Sequence, residues 1–376
     1  MPVIKIELKE KSYPVIVGAG NSGRLTALLK KHNKAGRLFV FYDAQFYALH
    51  GKSVSRIVKS AQKEAFELVL PRGEKTKSLK TVSELYDTLL EQQISREDFL
   101  LACGGGVTSD LVGFIAATVL RGVSWGVLPT TLLAAADAAI GGKTGVNHSL
   151  GKNLVGAFWQ PEFVLCDTAF LATLPPRELL CGLGEVLKCG GLVGEKMTGK
   201  LKEYLKKGDF YNIKRLSGLA ADAAALKAGL VTQDVRDKGQ RMFLNFGHTF
   251  AHAVEKAAGF GRLKHGEAVI LGLAAALETG RILKPATGKA CENYRDLVNN
   301  FLKLIPYRKL DMNKIMKAMN FDKKRSRLKS RFVLLAKPGK PYIIENIKPA
   351  IIKSALGKVL TDYKDSGGQN AETFGG

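Results

Sequence analysis

Short apolar runs alternate with helical patterns through the first half of the chain, the layout of parallel strands joined by crossover helices. Val3–Leu8 and Tyr13–Val17 flank a polar turn and read as an opening hairpin. Arg37–Tyr42 and Phe66–Leu70 read as buried strands; Leu79–Glu91 has apolar residues at helical spacing, and Phe99–Cys103 is again an apolar strand. After Pro175-Pro176-Arg177 the patterns turn helical, over Ala220–Leu230, Phe246–Ala258, Glu267–Leu283, Tyr294–Phe301 and Leu310–Ala318. Phe332–Leu335 and Tyr342–Ile344 read as a small hairpin. The expected organisation is an α/β domain on a parallel sheet over residues 1–176 and a mostly helical domain over 177–362. Residues 363–376, rich in Gly, Ser and Asn from Ser366 onward, read as a disordered tail. No internal repeat is visible.

A length of 376 residues fits this two-domain division. With 46% hydrophobic and 24% charged residues, the composition is that of a soluble globular protein. No apolar run reaches the roughly 18 residues of a spanning helix. The start Met1-Pro2-Val3-Ile4-Lys5 lacks a signal-peptide layout, so the cytoplasm is the expected location. Cys103, Cys166, Cys181, Cys189 and Cys291 are odd in number and show no CxxC spacing, which argues against a disulfide framework and a cysteine zinc site. The net charge of +23 changes the picture more, because a positive field attracts phosphates and carboxylates. Its densest cluster, Asp322–Arg331, lacks the interleaved aromatics of a single-strand platform, so nucleic acid as a partner has weak support.

Three local patterns carry chemistry. Phe99–Cys103 runs into Gly104-Gly105-Gly106-Val107 and then a helical pattern. A strand, a glycine turn and a helix N-terminus form an anion site where backbone amides meet a pyrophosphate. It is not the GxGxxG fingerprint, and a tight turn that binds nothing is the competing reading. Asp43, at the end of an earlier strand, suits a ribose diol or equally a helix cap. Next, Asp137 precedes Gly141-Gly142-Lys143-Thr144-Gly145-Val146-Asn147 and Gly151-Lys152-Asn153. Two glycine-flanked lysines with nearby amides suit a highly oxygenated anion. Finally, three of the six histidines, His248, His252 and His265, fall close together. His248 and His252 lie one helical turn apart, and His265 opens another helix, a spacing that suits a divalent metal with an oxygen ligand from elsewhere. Spacing alone does not say which two histidines ligate.

With these motifs assembled, the sequence resembles the 3-dehydroquinate synthases, within the sugar phosphate cyclase group. The resemblance runs from Pro71-Arg72-Gly73-Glu74-Lys75-Thr76-Lys77-Ser78 through Gly104–Val107, Arg121-Gly122, Pro129–Leu133, Gly141–Asn147 and Gly151–Ala157. It continues in Leu174–Glu178, Glu185–Lys188, Leu244–Thr249, His265–Val269 and Asp322-Lys323-Lys324. It implies a Rossmann-like NAD-binding domain followed by a helical metal-binding domain. The implied reaction converts 3-deoxy-D-arabino-heptulosonate 7-phosphate to 3-dehydroquinate and phosphate: NAD takes a hydride from the C5 alcohol and later returns it, phosphate leaves between, and an aldol closure follows. By resemblance the metal ligands are Glu185, His248 and His265, with zinc or cobalt the implied ion, and His252 serves the substrate instead. Lys143, Asn153, Asn245, His252, Arg121, Lys323 and Lys324 correspond to groups around the phosphate and reacting hydroxyls. Asp137, Lys152, Lys188, Lys227 and Arg241 complete the pocket, the last three suited to the carboxylate and ring oxygens. The NAD positions are Asp43, Glu74, Lys77, Gly105, Gly106, Val107, Asp110, Thr130, Thr131, Lys143, Lys152, Phe170 and Thr173. Arg121 matches an arginine supplied by a neighbouring subunit, which implies a homodimer.

Some residues depart from the family pattern: Ser109 for glycine, Ala138-Ala139 for two serines, Asp237 for glutamate, and exchanges of small residues at Gly184 and Ala251. None removes an implied metal ligand or pocket lysine. The competing readings are a cyclase acting on another sugar phosphate such as sedoheptulose 7-phosphate, a glycerol-dehydrogenase-like enzyme that releases NADH, and a basic nucleic-acid-binding protein.

Overall fold

The computed structural model describes residues 3–366 except 10, 34, 63, 238, 260, 284–287 and 326–329, and gives the backbone alone for 320–325. The chain forms two compact units, one of Met1–Leu174 with Tyr211–Arg236 and one of Pro175–Phe210 with Asp237–Gly376.

In chain order the first unit contains β1 (Val3–Ile6), β2 (Tyr13–Gly18), α1 (Arg24–His32), β3 (Leu38–Asp43), α2 (Ala44–Ala61) and β4 (Ala65–Leu70). There follow α3 (Leu79–Glu91), β5 (Phe99–Gly104), α4 (Gly106–Thr118), β6 (Ser124–Pro129), β7 (Lys143–His148), β8 (Gly151–Phe158) and β9 (Val164–Asp167). β1 and β2 form the expected hairpin, with Val3 opposite Ile16. The other strands add in parallel to give the order β1-β2-β9-β6-β5-β3-β4. From β3 the chain steps outward to β4 and then returns to the other side of β3 as β5. The carboxyl ends of β3 and β5 therefore flank the switch point where parallel sheets take ligands. One face is sealed by Val40, Tyr42, Phe99 and Leu101 against Leu25 and Leu29 of α1 and Val54 and Val58 of α2. Each is almost fully buried, contributing about 1.5–3 kcal/mol.

The second unit holds α5 (Pro176–Val193) and α6 (Glu195–Lys207). Next comes α7 (Ile213–Gln233), which packs against β1 and β2 and so belongs to the first unit, although it follows the expected boundary near 176. The second unit resumes with α8 (His248–Ala258), α9 (His265–Leu283), α10 (Lys289–Leu302), α11 (Met312–Arg325), β10 (Arg331–Lys337), β11 (Lys340–Glu345) and α12 (Pro349–Ser366). β10 and β11 form the expected terminal hairpin, Phe332 opposite Ile344. Residues 363–366 continue α12 rather than starting a tail, because Tyr363 is buried and its hydroxyl donates to Pro306 O at 2.7 Å; residues 367–376 lie outside the described residues. Among the described residues no helix is long and apolar enough to cross a membrane.

Candidate active site

In the first unit, β5 ends at Gly104 and α4 begins at Gly106, with Gly105 as an N-cap that offers no side-chain acceptor. The amides of the first helical turn, that of Val107 among them, thus stay uncapped at the positive end of the helix dipole. The surroundings leave little room for a side chain. A Cβ at Gly105 would lie 3.1 Å from Thr131 Cγ2, and one at Gly106 would lie 3.2 Å from Ala138 Cβ. The Thr130 amide donates to Gly104 O at 3.0 Å, and Thr131 Oγ1 accepts from the Ala134 amide at 3.2 Å. This cradle fits a pyrophosphate. Ser109 is buried and donates to Gly106 O at 3.1 Å, so serine is accommodated here.

Asp43 stands across the switch point. Its Oδ1 caps α2, accepting from the Gln45 and Phe46 amides at 3.0 and 3.1 Å, while Oδ2 takes no hydrogen bond from any described residue. The cap and the diol role can thus use different oxygens. Buried Phe170 packs edge-on to Phe46, centroids 4.9 Å apart, and Thr173 Oγ1 lies 2.8 Å from His50 Nε2.

Beyond the glycine turn, a polar network ties three segments together. Lys77 is buried, and its Nζ donates to Asp110 of α4 and to Asn153 Oδ1 of β8. Burial raises the Asp110 pKa against the pull of the Lys77 charge. Asn147 Nδ2 donates to Glu74 Oε1 at 2.7 Å, its Oδ1 accepts from the Asn153 amide at 3.0 Å, and its own amide donates to Lys77 O at 2.9 Å. Asn153 sits at φ +55°, a conformation asparagine tolerates better than most residues. Asp137 lies in a π-type turn, Ala134–Ala138, where Lys227 Nζ from α7 reaches its Oδ1 at 2.7 Å and its carbonyl at 2.6 Å. Lys143 and Arg121 are exposed and Lys152 half-buried; Arg121 and Leu120 both have positive φ, 65° and 49°.

In the second unit, α5 and α9 touch backbone to backbone. A Cβ at Gly184 would fall 2.3 Å from Gly266 O, and one at Gly266 would fall 1.8 Å from Cys181 O. This contact sets Glu185 of α5 beside His265, the first residue of α9. Likewise Gly272 meets Gly247 O and Ala251, which holds α8 against α9; small side chains at 184 and 251 are required for packing. The start of α9 is pinned by buried Glu267, which accepts from Arg177 Nε and Nη2 at 2.5 and 2.8 Å and from the Lys264 amide at 2.8 Å.

Glu185, His248 and His265 meet there, with one ligand atom from each all within 4.8 Å of one another. Glu185 is wholly buried; its Oε1 lies 3.1 Å from His265 Nε2 and 3.3 Å from His248 Nε2, and its Oε2 lies 2.5 Å from Lys188 Nζ. Burial opposes ionisation of Glu185, but the charges of Lys188 and His248 overcome it and hold the pKa well below the usual carboxylate value. Burial likewise disfavours a charged His265, yet Glu185 and Glu255 raise its pKa to about 10. The carboxylates thus favour positive charge at this point, and two imidazoles with one carboxylate are a donor set that suits zinc or a similar divalent ion. His252 is exposed one turn along α8, its ring 5.5 Å from that of His248. Lys188 and Arg241 are buried and Asn245 is exposed. Lys323 and Lys324 lie within α11, but their side chains are outside the described residues.

Residues 67–181 match the family described as 3-dehydroquinate synthase N-terminal, and residues 182–325 match 3-dehydroquinate synthase C-terminal. The chain belongs to the 3-dehydroquinate synthase family. It is similar to 3-dehydroquinate synthase from Rhodospirillum rubrum, 41% identical with 94% of each chain covered. It is also similar to that from Crocosphaera subtropica, 35% identical over 95% of this chain and 99% of the relative. A solved 2-epi-5-epi-valiolone synthase from Streptomyces hygroscopicus subsp. jinggangensis, with NAD+ and Zn2+ bound, superposes with a TM-score of 0.81. It is 26% identical over 94% of this chain and 98% of that one.

Three contributors go unmarked in the sequence: His50, Glu255 and the Arg177–Glu267 pair. Glu255 had a visible signal, since His248, His252 and Glu255 recur at spacings of four and three on one helix face. Asn147 stands among the amides near Lys143 and Lys152, but its partners Glu74 and Lys77 depend on how the hairpin β7–β8 meets the Glu74–Lys77 turn.

Proposed function

We propose that the protein converts 3-deoxy-D-arabino-heptulosonate 7-phosphate to 3-dehydroquinate and phosphate, in the shikimate route to aromatic amino acids, as a cytoplasmic homodimer using NAD and one divalent metal, zinc or cobalt. The observation that carries this reading is the convergence of Glu185, His248 and His265 in a chain of this family. When bound, NAD supplies reversible hydride acceptance and the ion supplies a Lewis acid for the substrate hydroxyls. The first turn of α4 and the Gly105–Gly106 cradle bind the pyrophosphate, and Asp43 Oδ2 serves the ribose. Glu74, Lys77, Asp110, Thr130, Thr131, Phe170 and Thr173 line the rest of that site.

Glu185, His248 and His265 hold the ion, and Lys188 balances the charge of the buried carboxylate. His252, beside that ligand set but not part of it, serves the substrate, with Asn245 and Asn153 on its hydroxyls. Lys188, Lys227 and Arg241 take the carboxylate and ring oxygens, and this is why a sugar acid is favoured over sedoheptulose 7-phosphate. Lys143, Lys152, Lys323, Lys324 and Arg121 of the second subunit take the phosphate, and Asp137 positions Lys227.

A phosphate-release assay with NAD and Zn2+ tests the substrate. Turnover of the heptulosonate phosphate is expected, with sedoheptulose 7-phosphate inert; the opposite order would move the protein to another branch of the cyclases.

A further inference from the structure

We propose that Glu255 is a positioning residue of the metal centre, fixing the tautomer of His265 so that only Nε2 faces the ion. The inference rests on the metal reading above and adds a residue to it. His265 Nδ1 lies 3.3 Å from Glu255 Oε2, while its Nε2 points to Glu185 Oε1 at 3.1 Å. The ring is therefore held between two carboxylates with opposite tasks. A neutral imidazole has one N–H and one lone pair, so an acceptor at Nδ1 leaves the lone pair on Nε2. Glu255 is itself buried, and α8 carries it on the face that holds His248 and His252. His248 shows the same arrangement with a weaker acceptor, its Nδ1 3.4 Å from Phe246 O and its Nε2 3.3 Å from Glu185 Oε1.

The two ligating rings are thus not equivalent. His248 is oriented by a neutral carbonyl, and its place at the start of α8 fixes the backbone behind it. His265 is oriented by a carboxylate, which strengthens the ring as a donor and also neutralises part of the charge brought by a divalent ion. Such partners typically contribute 10–100-fold in metal affinity.

The test uses the full chain, stripped of metal and titrated with Zn2+ against a chromophoric chelator, as wild type, Glu255→Gln, Glu255→Ala and His265→Ala. Glu255→Ala should bind Zn2+ about 10–100-fold more weakly. Glu255→Gln, whose amide oxygen can accept the same hydrogen bond, should recover most of that loss. Co2+-loaded Glu255→Gln should keep the wild-type ligand-field bands. Wild-type affinity in Glu255→Ala, or Gln as weak as Ala, would overturn the proposal. A Co2+ spectrum that loses a ligand in Glu255→Gln would overturn it too, making Glu255 a ligand.

If Glu255→Ala does not fold, histidine-selective 15N spectra of Zn2+-loaded wild type and Glu255→Gln decide, with only six histidines to assign. The His265 Nδ1–H signal should shift in Glu255→Gln while that of His248 stays; metal on Nδ1 of His265 would refute the assignment. Undiminished Zn2+ binding by His265→Ala marks a different failure, that of the metal reading itself.

Discussion

Asn147 carries three hydrogen bonds that join the Glu74–Lys77 turn to the start of β8 at Asn153. Alanine there leaves Glu74 without its amide partner and Asn153 without support for its positive φ. The loss should be about 1–2 kcal/mol of stability, with NAD binding weakened roughly tenfold, read by denaturant unfolding and by NAD titration. Unchanged NAD affinity would mean that Glu74 and Asn153 act independently of Asn147. At this scale much of the site was legible. The turn spacing of His248 and His252 marked a metal-binding helix, but spacing treats the two rings alike. Proximity to Glu185 separates them, His248 Nε2 lying 3.3 Å from its Oε1, and that meeting depends on α5 and α9, which the residues of α8 do not encode. Asp43 shows the converse, since both readings left open in the sequence are compatible with its two oxygens.

Gly184 and Gly266 set the approach of α5 to α9, and with it the distance from Glu185 to His265. Because a Cβ at Gly266 would lie 1.8 Å from a backbone carbonyl, no rotamer change relieves it. Gly266→Ala should cost about 1–3 kcal/mol or more and should weaken Zn2+ binding in the same variant, since the helices must part. Full Zn2+ affinity in a folded Gly266→Ala protein would show that the ligand set tolerates a shift of α9. The apolar strands β3, β4 and β5 and the amphipathic α3 were readable from periodicity, as were α8 to α11. The β7–β8 hairpin was not: Gly145, Gly151 and Gly156 interrupt its apolar positions, so no regular alternation shows. Gly145 and Gly156 lie face to face across its strands, where a Cβ on Gly145 would be 2.6 Å from Val155 O. The placement of α7 was equally hidden, because its apolar face does not say which layer it covers.

At the level of the whole molecule, Glu162 is a clasp for the sheet of the first unit. It accepts from Lys11 Nζ at 2.7 Å and Ser124 Oγ at 3.0 Å, and His32 Nδ1 lies 3.4 Å away. Burial pushes its pKa up, but these partners together bring it down to about 2. A depressed carboxylate adds stability in full above its unfolded pKa of about 4.3 and loses it as pH falls through the folded value. The stability gap between wild type and Glu162→Gln should therefore narrow as pH falls from about 5 to about 2; a gap independent of pH would mean the charge does not matter. The net charge of +23 belongs to this scale too, as a field that draws an anionic substrate rather than as a feature of the fold.

In the proposed reaction the protein takes a hydride from its substrate and gives it back within one turnover. The direct measurement is turnover of 3-deoxy-D-arabino-heptulosonate 7-phosphate deuterated at C5, with NAD and Zn2+, followed by mass and NMR analysis of the product and by absorbance of NADH. One phosphate should be released per 3-dehydroquinate, with deuterium retained on the carbon that was C5 and no net NADH. Deuterium lost from the product, or NADH accumulating in step with turnover, would contradict it.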